Sequence, residues 1–208
     1  FVVDGCGGDL ATGGTTASPV ELYVGNAGTA ARFLTALVAL GQGAYKLSGT
    51  PRMHERPQGA LFAALRQLGY RVDASGPNGD RMPVTVHGEG PRPGACDVSI
   101  AESSQFASAL LLCAAHGEWD VRITDGNADE LPYVHMTEQV IDVFPQTFED
   151  DLDDAEYAIE GDTSSASYFV GADLLQRLAH PESSQRIEVA NWPHSGWQFD
   201  ERFAAFCD

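Results

Sequence analysis

The chain has 208 residues, of which 43% are hydrophobic, enough to bury a core in one large domain or in one domain and part of another. Its formal charge is −18, with Lys46 as its one lysine, which argues against nucleic acid or an anionic membrane as a partner. The apolar runs are too short to span a membrane and no signal peptide opens the chain, so we expect a soluble, cytoplasmic protein.

The excess of carboxylates has two interpretations, and the sequence leaves both open. It fits a protein adapted to a high-salt cytoplasm, where carboxylates maintain solubility and their mutual repulsion is screened. It fits an acidic enzyme without such an adaptation equally well. An acidic run at residues 148–157 lacks the glycine and the terminal glutamate of a calcium loop, so it predicts a solvated turn rather than a metal site.

The cysteines and histidines also predict no metal site. Cys6, Cys96, Cys113 and Cys207 are scattered along the chain without a CxxC pair, and the histidines form neither an HExxH motif nor a cluster with cysteine. We therefore expect the cysteines to be reduced and buried, or incidental to the function.

The hydrophobic pattern predicts a strand–helix–strand–helix–strand–strand order in the first part of the chain. Residues 1–19 are predicted to form a strand and a loop. The elements that follow are a strand at 21–24, a glycine-rich turn and helix at 25–40, a strand at 44–49, a loop at 50–57, a helix at 58–68, and strands at 70–73 and 82–87 joined by a hairpin turn at 77–83.

A similar order recurs later in the chain. The second unit has strands at 96–100 and 120–124, helices at 106–115 and 134–144, and short strands near 146–149 and 157–159. A third unit begins with a helix at 164–178, a strand at 186–189 and a helix at 199–206. Gly28 to Pro57 and Ser104 to Tyr133 are both separated by 29 positions. Such units must pack on each other, which predicts an α/β fold with helices inside a shell of strands, or a layered stack.

The turn at residues 25–29 is suited to an anion. Gly25 and Gly28 allow the backbone to approach a ligand closely, and Thr29 is placed to cap the helix that follows. The free N–H groups and the dipole of a helix start favour a phosphate or a carboxylate. Without a GK[ST] sequence this is not a nucleotide P-loop, and alone it predicts no more than a capped core helix.

Four loops stand at equivalent positions, each before a helix: residues 26–29, 50–57, 102–106 and 197–203. In the second loop Arg52 and Arg56 offer forked donors for a phosphate or carboxylate, and in the third the SSQ segment at 103–105 offers neutral donors at a helix start. Asp200 in the fourth loop offers a carboxylate able to move a proton. Because no nucleophile has an attendant base, a covalent mechanism is not favoured.

Five motifs resemble the enolpyruvyl transferase family: GNAGTAARFL, PRMHERPQGAL, ESSQFASALL, LPYVHMT and EGDTSSASYF. GNAGTA, PRMxERP and SSQF are typical of the members that act on shikimate 3-phosphate. A reactive cysteine in a flexible loop would point to the relatives that act on UDP-N-acetylglucosamine, and Cys6, Cys96 and Cys113 do not lie in such a loop.

The resemblance implies a fold and a reaction. The fold is an inside-out α/β barrel of βαβαββ units in two domains, with residues 1–158 as the nearly complete shikimate-phosphate-binding domain and residues 159–208 as part of the second. The reaction transfers the enolpyruvyl group of phosphoenolpyruvate to the 5-hydroxyl of shikimate 3-phosphate and releases phosphate, by addition and then elimination. No metal and no organic cofactor is implied.

The resemblance also implies the site residues. For phosphoenolpyruvate they are Asn26, Gly28, Thr29, Arg52 and Gln105. For shikimate 3-phosphate they are Ser103, Ser104, Gln105, Tyr133 and Asp200, and Asp200 is also the candidate catalytic base at the reacting 5-hydroxyl.

Three residues depart from the family pattern. Glu130 replaces a serine that helps to bind the substrate phosphate, and a carboxylate there would repel it. Phe33 replaces a proline, and Phe199 replaces a glycine and would crowd the site. The family also carries catalytic groups in segments before Phe1 and after Asp208, so we expect this central portion to turn over little unaided and to self-associate through exposed apolar faces of an incomplete second domain. The alternative is a non-catalytic, degenerate anion-binding domain of the same fold.

Overall fold

The computed structural model describes residues 8–144 and 159–207, and the chain divides into two compact units, Phe1–Glu138 and Gln139–Asp208. Several predicted features lie outside the described residues: Cys6, the strand at the start of the chain, the acidic run at 148–157, the strand at 146–149 and the domain boundary at 158. Of the strand predicted at 157–159 only Ile159 is described, and it belongs to no strand.

A four-stranded mixed sheet forms the first half of unit 1. Its strands are β1 (Val20–Tyr23), β2 (Gln42–Ser48), β3 (Arg71–Ser75) and β4 (Arg81–Glu89), in the order β1-β2-β4-β3. β1 and β2 are parallel, whereas β4 pairs antiparallel with β2 and β3. Alternate residues of β4 are buried, because successive side chains of a strand point to opposite faces of the sheet.

The helices of this half follow the order that the sequence predicts, with one difference. They are α1 (Gly28–Leu37), which continues as a 3₁₀ turn (Val38–Leu40), α2 (Pro51–Glu55) and α3 (Gly59–Gln67). The prediction of a loop at 50–57 was wrong, since α2 forms there. Its start is explained by Pro51 at the first helical position, where the missing N–H costs no hydrogen bond, and its one buried residue is Met53.

The second half of unit 1 is built around a two-stranded parallel sheet. Its strands β5 (Gly94–Ser99) and β6 (Trp119–Thr124) are connected by α4 (Gln105–Gly117). The next helix, α5 (Leu131–Val143), begins in unit 1 and continues past Glu138. α4 ends at Glu118, whose left-handed backbone (φ 54°) turns the chain into β6.

Most of the apolar core of unit 1 is formed by helix faces packed against the sheets. The largest fully buried side chains include Phe62, Phe106, Leu47 and Met53, from α3, α4, β2 and α2. Five residues of α4 between Phe106 and Leu110 are buried in succession, so this helix is enclosed on most of its circumference. The start of α4 is therefore held rigidly, and this fixes the position of the residues immediately before it.

Unit 2 contains α6 (Thr163–Ala179), a 3₁₀ turn (Phe199–Arg202) and α7 (Phe203–Cys207). The predicted helix at 199–206 is thus formed in two pieces, whereas the predicted strand at 186–189 is wrong. The N–H of Ile187 donates to the Asp173 carboxylate of α6 at 2.8 Å instead of to a neighbouring strand. Large apolar side chains on α6 are exposed, namely Tyr168, Phe169, Leu175 and Leu178. Within residues 8–144 and 159–207, no helix has both the length and the apolar character that crossing a membrane requires.

The burial of α4 predicts that Leu110 contributes more than Leu112 to the free energy of unfolding. Leu110 is fully buried and Leu112 is 44% exposed. We expect Leu110→Ala to lower the free energy of unfolding by about 2–5 kcal/mol, because it leaves a cavity, and Leu112→Ala by less than about 1 kcal/mol. Urea denaturation followed by circular dichroism measures both, and equal losses would contradict the described packing.

Candidate functional site

A pocket of about 460 Å³ opens in unit 1 where α4 begins. It brings together five of the residues that the sequence analysis predicts for the site, together with Phe33. Its lining residues are Thr29, Phe33, Ser103, Ser104, Gln105, Ser108, Glu130, Tyr133, Met136 and Thr137. Most of them are small or neutral hydrogen-bonding residues grouped around a helix N-terminus, and such an arrangement favours an anionic ligand.

The Gln105 side chain connects α4 to α1. Its Oε1 accepts a hydrogen bond from Arg32 Nη1 at 2.8 Å, and its Nε2 donates to Thr29 Oγ1 at 3.1 Å. Because a guanidinium only donates, the first contact fixes which end of the amide is the oxygen. Thr29 consequently accepts from Gln105 and does not cap its own helix. The predicted cap at Thr29 was wrong, since the N-cap of α1 is Ala27, without a side-chain hydrogen bond.

Arg32 is a buried cation that the sequence analysis did not select. It is 4% exposed, its guanidinium lies 5.3 Å from the centre of the Phe106 ring, and its Nε has no hydrogen-bond partner. Burial lowers the pKa of Arg32 and so does the neighbouring Arg56, whereas Glu102 and Glu130 oppose this shift. The signal in the sequence was a single charged residue within an apolar helix, four positions after Gly28.

Gly28 leaves space for two guanidinium groups. A Cβ atom at this position would collide with the side chains of Arg56 and Arg32, so both cations reach the first turn of α1. Neither arginine forms an ion pair within the described part of the chain. Two cations beside free helix N–H groups provide strong attraction for one anion.

Arg52 and Asn26 lie outside this cluster. Arg52 is on α2, where its Nη1 donates to Glu55 Oε2 at 2.8 Å and three quarters of its side chain is exposed. Asn26 is exposed in the turn before α1. Of the two arginines in the second loop, Arg56 therefore lies at Gly28 in this structure, and Arg52 is paired with a neighbouring carboxylate.

Glu130 is the one carboxylate among the residues that line the pocket. Its Oε2 accepts a hydrogen bond of 2.6 Å from the backbone N–H of Ser104, the residue at the start of α4. The side chain of Asn127 accepts a hydrogen bond from the N–H of Asp129 and so stabilises the turn that precedes Glu130. An anionic group of the protein itself thus occupies part of the helix N-terminus.

Tyr133 is positioned by contacts between α4 and α5. The hydroxyls of Ser108 and Thr137 are 2.7 Å apart, and Thr137 Oγ1 donates to the Tyr133 carbonyl at 2.9 Å. Thr137 has one hydroxyl proton, so Ser108 must donate to Thr137. This chain of hydrogen bonds fixes the first turn of α5 against the start of α4.

Asp200 belongs to the 3₁₀ turn of unit 2. Its carboxylate accepts a hydrogen bond from Ser164 Oγ in the first turn of α6. The neighbouring Gln198 Oε1 accepts from the N–H of Thr163 at 2.9 Å, so the turn is held against this helix end. Phe199 lies under the guanidinium of Arg202, which is 5.2 Å from the ring centre, and remains 39% exposed.

Cys96 and Cys113 are unsuited to act as nucleophiles. Burial raises the pKa of Cys96 to about 11 and that of Cys113 to about 12. Both thiols are therefore protonated near neutral pH, and only the thiolate is reactive. Cys207 is also buried and unpaired. Within residues 8–144 and 159–207, no group of three or more His, Cys, Asp or Glu side chains could hold a metal ion.

The described structure is an α/β protein whose pocket groups neutral hydrogen-bonding side chains at the starts of two helices. The family described as EPSP synthase (3-phosphoshikimate 1-carboxyvinyltransferase) matches residues 3–198, and the chain belongs to this family.

Relatives and solved structures agree with this assignment. The chain is 37% identical to 3-phosphoshikimate 1-carboxyvinyltransferase of Vibrio campbellii, over 84% of the chain and 43% of the relative. It is 41% identical to the chloroplastic enzyme of that name from Arabidopsis thaliana, over 98% of the chain and 41% of the relative. EPSP synthase of Acinetobacter baumannii superposes with a TM-score of 0.54 at 23% identity, covering 76% of this chain and 37% of that structure, and supports the α/β fold alone. The chain thus spans less than half the length of these relatives.

Proposed function

We propose that this chain takes part in transferring the enolpyruvyl group of phosphoenolpyruvate to the 5-hydroxyl of shikimate 3-phosphate, with release of phosphate. The observation that carries the proposal is the clustering of Ser103, Ser104, Gln105 and Tyr133 around one pocket. We also propose the finer arrangement of the family: repeated βαβαββ units packed as an inside-out barrel, a shikimate-phosphate domain at 1–158 and part of a second domain at 159–208. The exposed apolar residues of α6 support our expectation of self-association, and we expect a cytoplasmic location.

The pocket of unit 1 is the proposed site for shikimate 3-phosphate. The hydroxyls of Ser103 and Ser104 and the first N–H groups of α4 are the donors for the phosphate. Tyr133, fixed by the Ser108–Thr137 contact, closes the side formed by α5. Neutral donors suit a doubly charged ester because they solvate it without demanding one fixed protonation state.

Gly28 and the two guanidinium groups beside it, those of Arg32 and Arg56, are here called the Gly28 cluster. This cluster is the proposed site for the phosphate of phosphoenolpyruvate. Arg32 and Arg56 supply positive charge at the start of α1, and Gln105 joins this cluster to the shikimate pocket. Arg52 and Asn26 remain part of the proposal. Arg52 would release Glu55 and donate to the substrate phosphate instead, since both the carboxylate and the phosphate accept charge-assisted hydrogen bonds from a guanidinium. The chemistry proposed for Asp200 is removal of a proton from the 5-hydroxyl.

A non-catalytic anion-binding domain is the second candidate. The observation in its favour is Glu130, whose carboxylate already accepts from the N–H of Ser104 inside the pocket. Both candidates bind an anion, so binding alone does not separate them, whereas release of phosphate by the chain would exclude the non-catalytic domain.

The proposed shikimate 3-phosphate site predicts that Ser103 and Ser104 contribute to the affinity for this ligand and that Ser75 does not. We expect shikimate 3-phosphate to bind saturably, and Ser103→Ala or Ser104→Ala to weaken binding about tenfold each, because each removes a hydrogen bond to a charged group. Titration calorimetry measures the affinities, with Ser75→Ala on β3 as the matched control. A folded sample without saturable binding would refute the site.

The Gly28 cluster predicts which arginines hold phosphoenolpyruvate. With shikimate 3-phosphate present, Arg56→Gln and Arg52→Gln should each weaken its binding about tenfold or more, because each removes a charged donor. Arg71→Gln, which also removes an exposed, carboxylate-paired arginine, is the control and should change affinity less than about twofold. If only the Arg56 variant loses affinity, Arg52 is a surface residue.

The role of Asp200 is tested by phosphate release. Any turnover of the two substrates by the chain should fall about a hundredfold in Asp200→Asn, while calorimetric binding of shikimate 3-phosphate to unit 1 is retained within a few-fold. Phosphate release that is equal in the unmodified chain and in Asp200→Asn would refute the catalytic role of Asp200.

A further inference from the structure

Glu130 places a negative charge where the proposed ligand carries its own. The residues lining the pocket include no Lys, Arg or His within the described part of the chain, so a phosphate there has only neutral donors and the start of α4 to stabilise it. Glu130 Oε2 already accepts from the N–H of Ser104, at 2.6 Å. That N–H is among the groups at a helix start that have no partner within the helix.

The surroundings of this contact strengthen the effect of the charge. Ser104 is 5% exposed and Glu130 is half-buried, so water screens a second anion beside them only partly. The nearest buried cation, Arg32, donates to Gln105 of the same pocket and keeps its Nε without a hydrogen-bond partner. Arg32 does not line the pocket, and at the start of α4 Glu130 occupies the N–H of Ser104 while Ser103 Oγ accepts from the N–H of Gln105 at 3.3 Å.

We propose that Glu130 is a specificity-determining residue, whose carboxylate acts as an internal competitor for the phosphate of the ligand. The inference rests on the proposed shikimate 3-phosphate site. A phosphorylated ligand must either displace the carboxylate from the Ser104 N–H or bind beside it against like-charge repulsion. A ligand without the phosphate meets no such opposition at this position.

Two substitutions separate the charge of Glu130 from its structural contact. Glu130→Gln keeps an oxygen that accepts from the Ser104 N–H, so the loop stays in place, and removes the negative charge. Glu130→Ser removes the charge and also vacates the N–H. Asp129→Asn is the matched control, because it removes one charge from the same loop at an exposed position outside the pocket lining.

The experiment is titration calorimetry of the full chain and these variants with shikimate 3-phosphate and with shikimate, at low and at high salt, after thermal unfolding has shown each variant to be folded. We expect Glu130→Gln and Glu130→Ser to bind shikimate 3-phosphate at least about tenfold more tightly than the unmodified chain, and shikimate within about twofold. The gain should persist at high salt, since a partly buried pair is poorly screened, whereas any effect of Asp129→Asn should disappear.

The remaining outcomes overturn the inference in distinguishable ways. If the unmodified chain binds shikimate 3-phosphate and neither Glu130 variant binds it more tightly, Glu130 has only a structural role and the proposed function is unaffected. An equal gain for shikimate, or an equal gain in Asp129→Asn, shows a general charge effect and overturns specificity at this position. If no folded variant binds shikimate 3-phosphate, the inference and the proposed site both fail.

Discussion

The contact between Arg32 and Gln105 is the interaction on which the arrangement of the site depends. It joins residues that are 73 positions apart, and it does so with a guanidinium that is almost completely buried. Breaking it would leave a buried charge with fewer hydrogen bonds, which is far more costly than losing an exposed pair. α1 and α4 are thereby held in a fixed relation, so the starts of the two helices belong to one framework.

The same contact places Gln105 in a network that spans two helices. Gln105 uses its oxygen for Arg32 and one amide N–H for Thr29. Arg32 in turn lies against the Phe106 ring, which places its charge without exposing it to water. A polar network of this kind fixes donor directions before a ligand arrives, which reduces the entropy lost on binding.

Local pattern predicted most of the secondary structure of unit 1. The alternation in β4 and the apolar run of α4 each specify one element, because burial follows the period of the backbone. The same logic failed at residues 186–189, where an alternating RIEV segment has no partner strand among residues 159–207. It failed at α2 because PRMHE buries only Met53, and so carries almost no helical periodicity.

The site could be predicted in part, and the rest depends on contacts distant in sequence. Ser103, Ser104 and Gln105 are recognisable from a polar triplet before an apolar helix. Arg32 was missed, because a single charged residue within an apolar helix does not by itself reveal that its guanidinium is buried, lies against Phe106 and donates to Gln105. The repulsive character of Glu130 was predictable from its charge, whereas its hydrogen bond to Ser104 joins residues 26 positions apart and required the packing of α5 on α4.

The placement of Arg32 and Arg56 at Gly28 has a kinetic consequence. The chain carries a net charge of −18, so an anionic ligand diffuses toward it against an unfavourable long-range field. Dissolved ions screen the attraction of the two guanidinium groups only weakly, since one is buried and the other half-buried. Dissolved ions shorten the range of the repulsive field more than that of the buried attraction. Association of an anion should therefore become faster as ionic strength rises, the reverse of the usual behaviour for a charged ligand and its binding site.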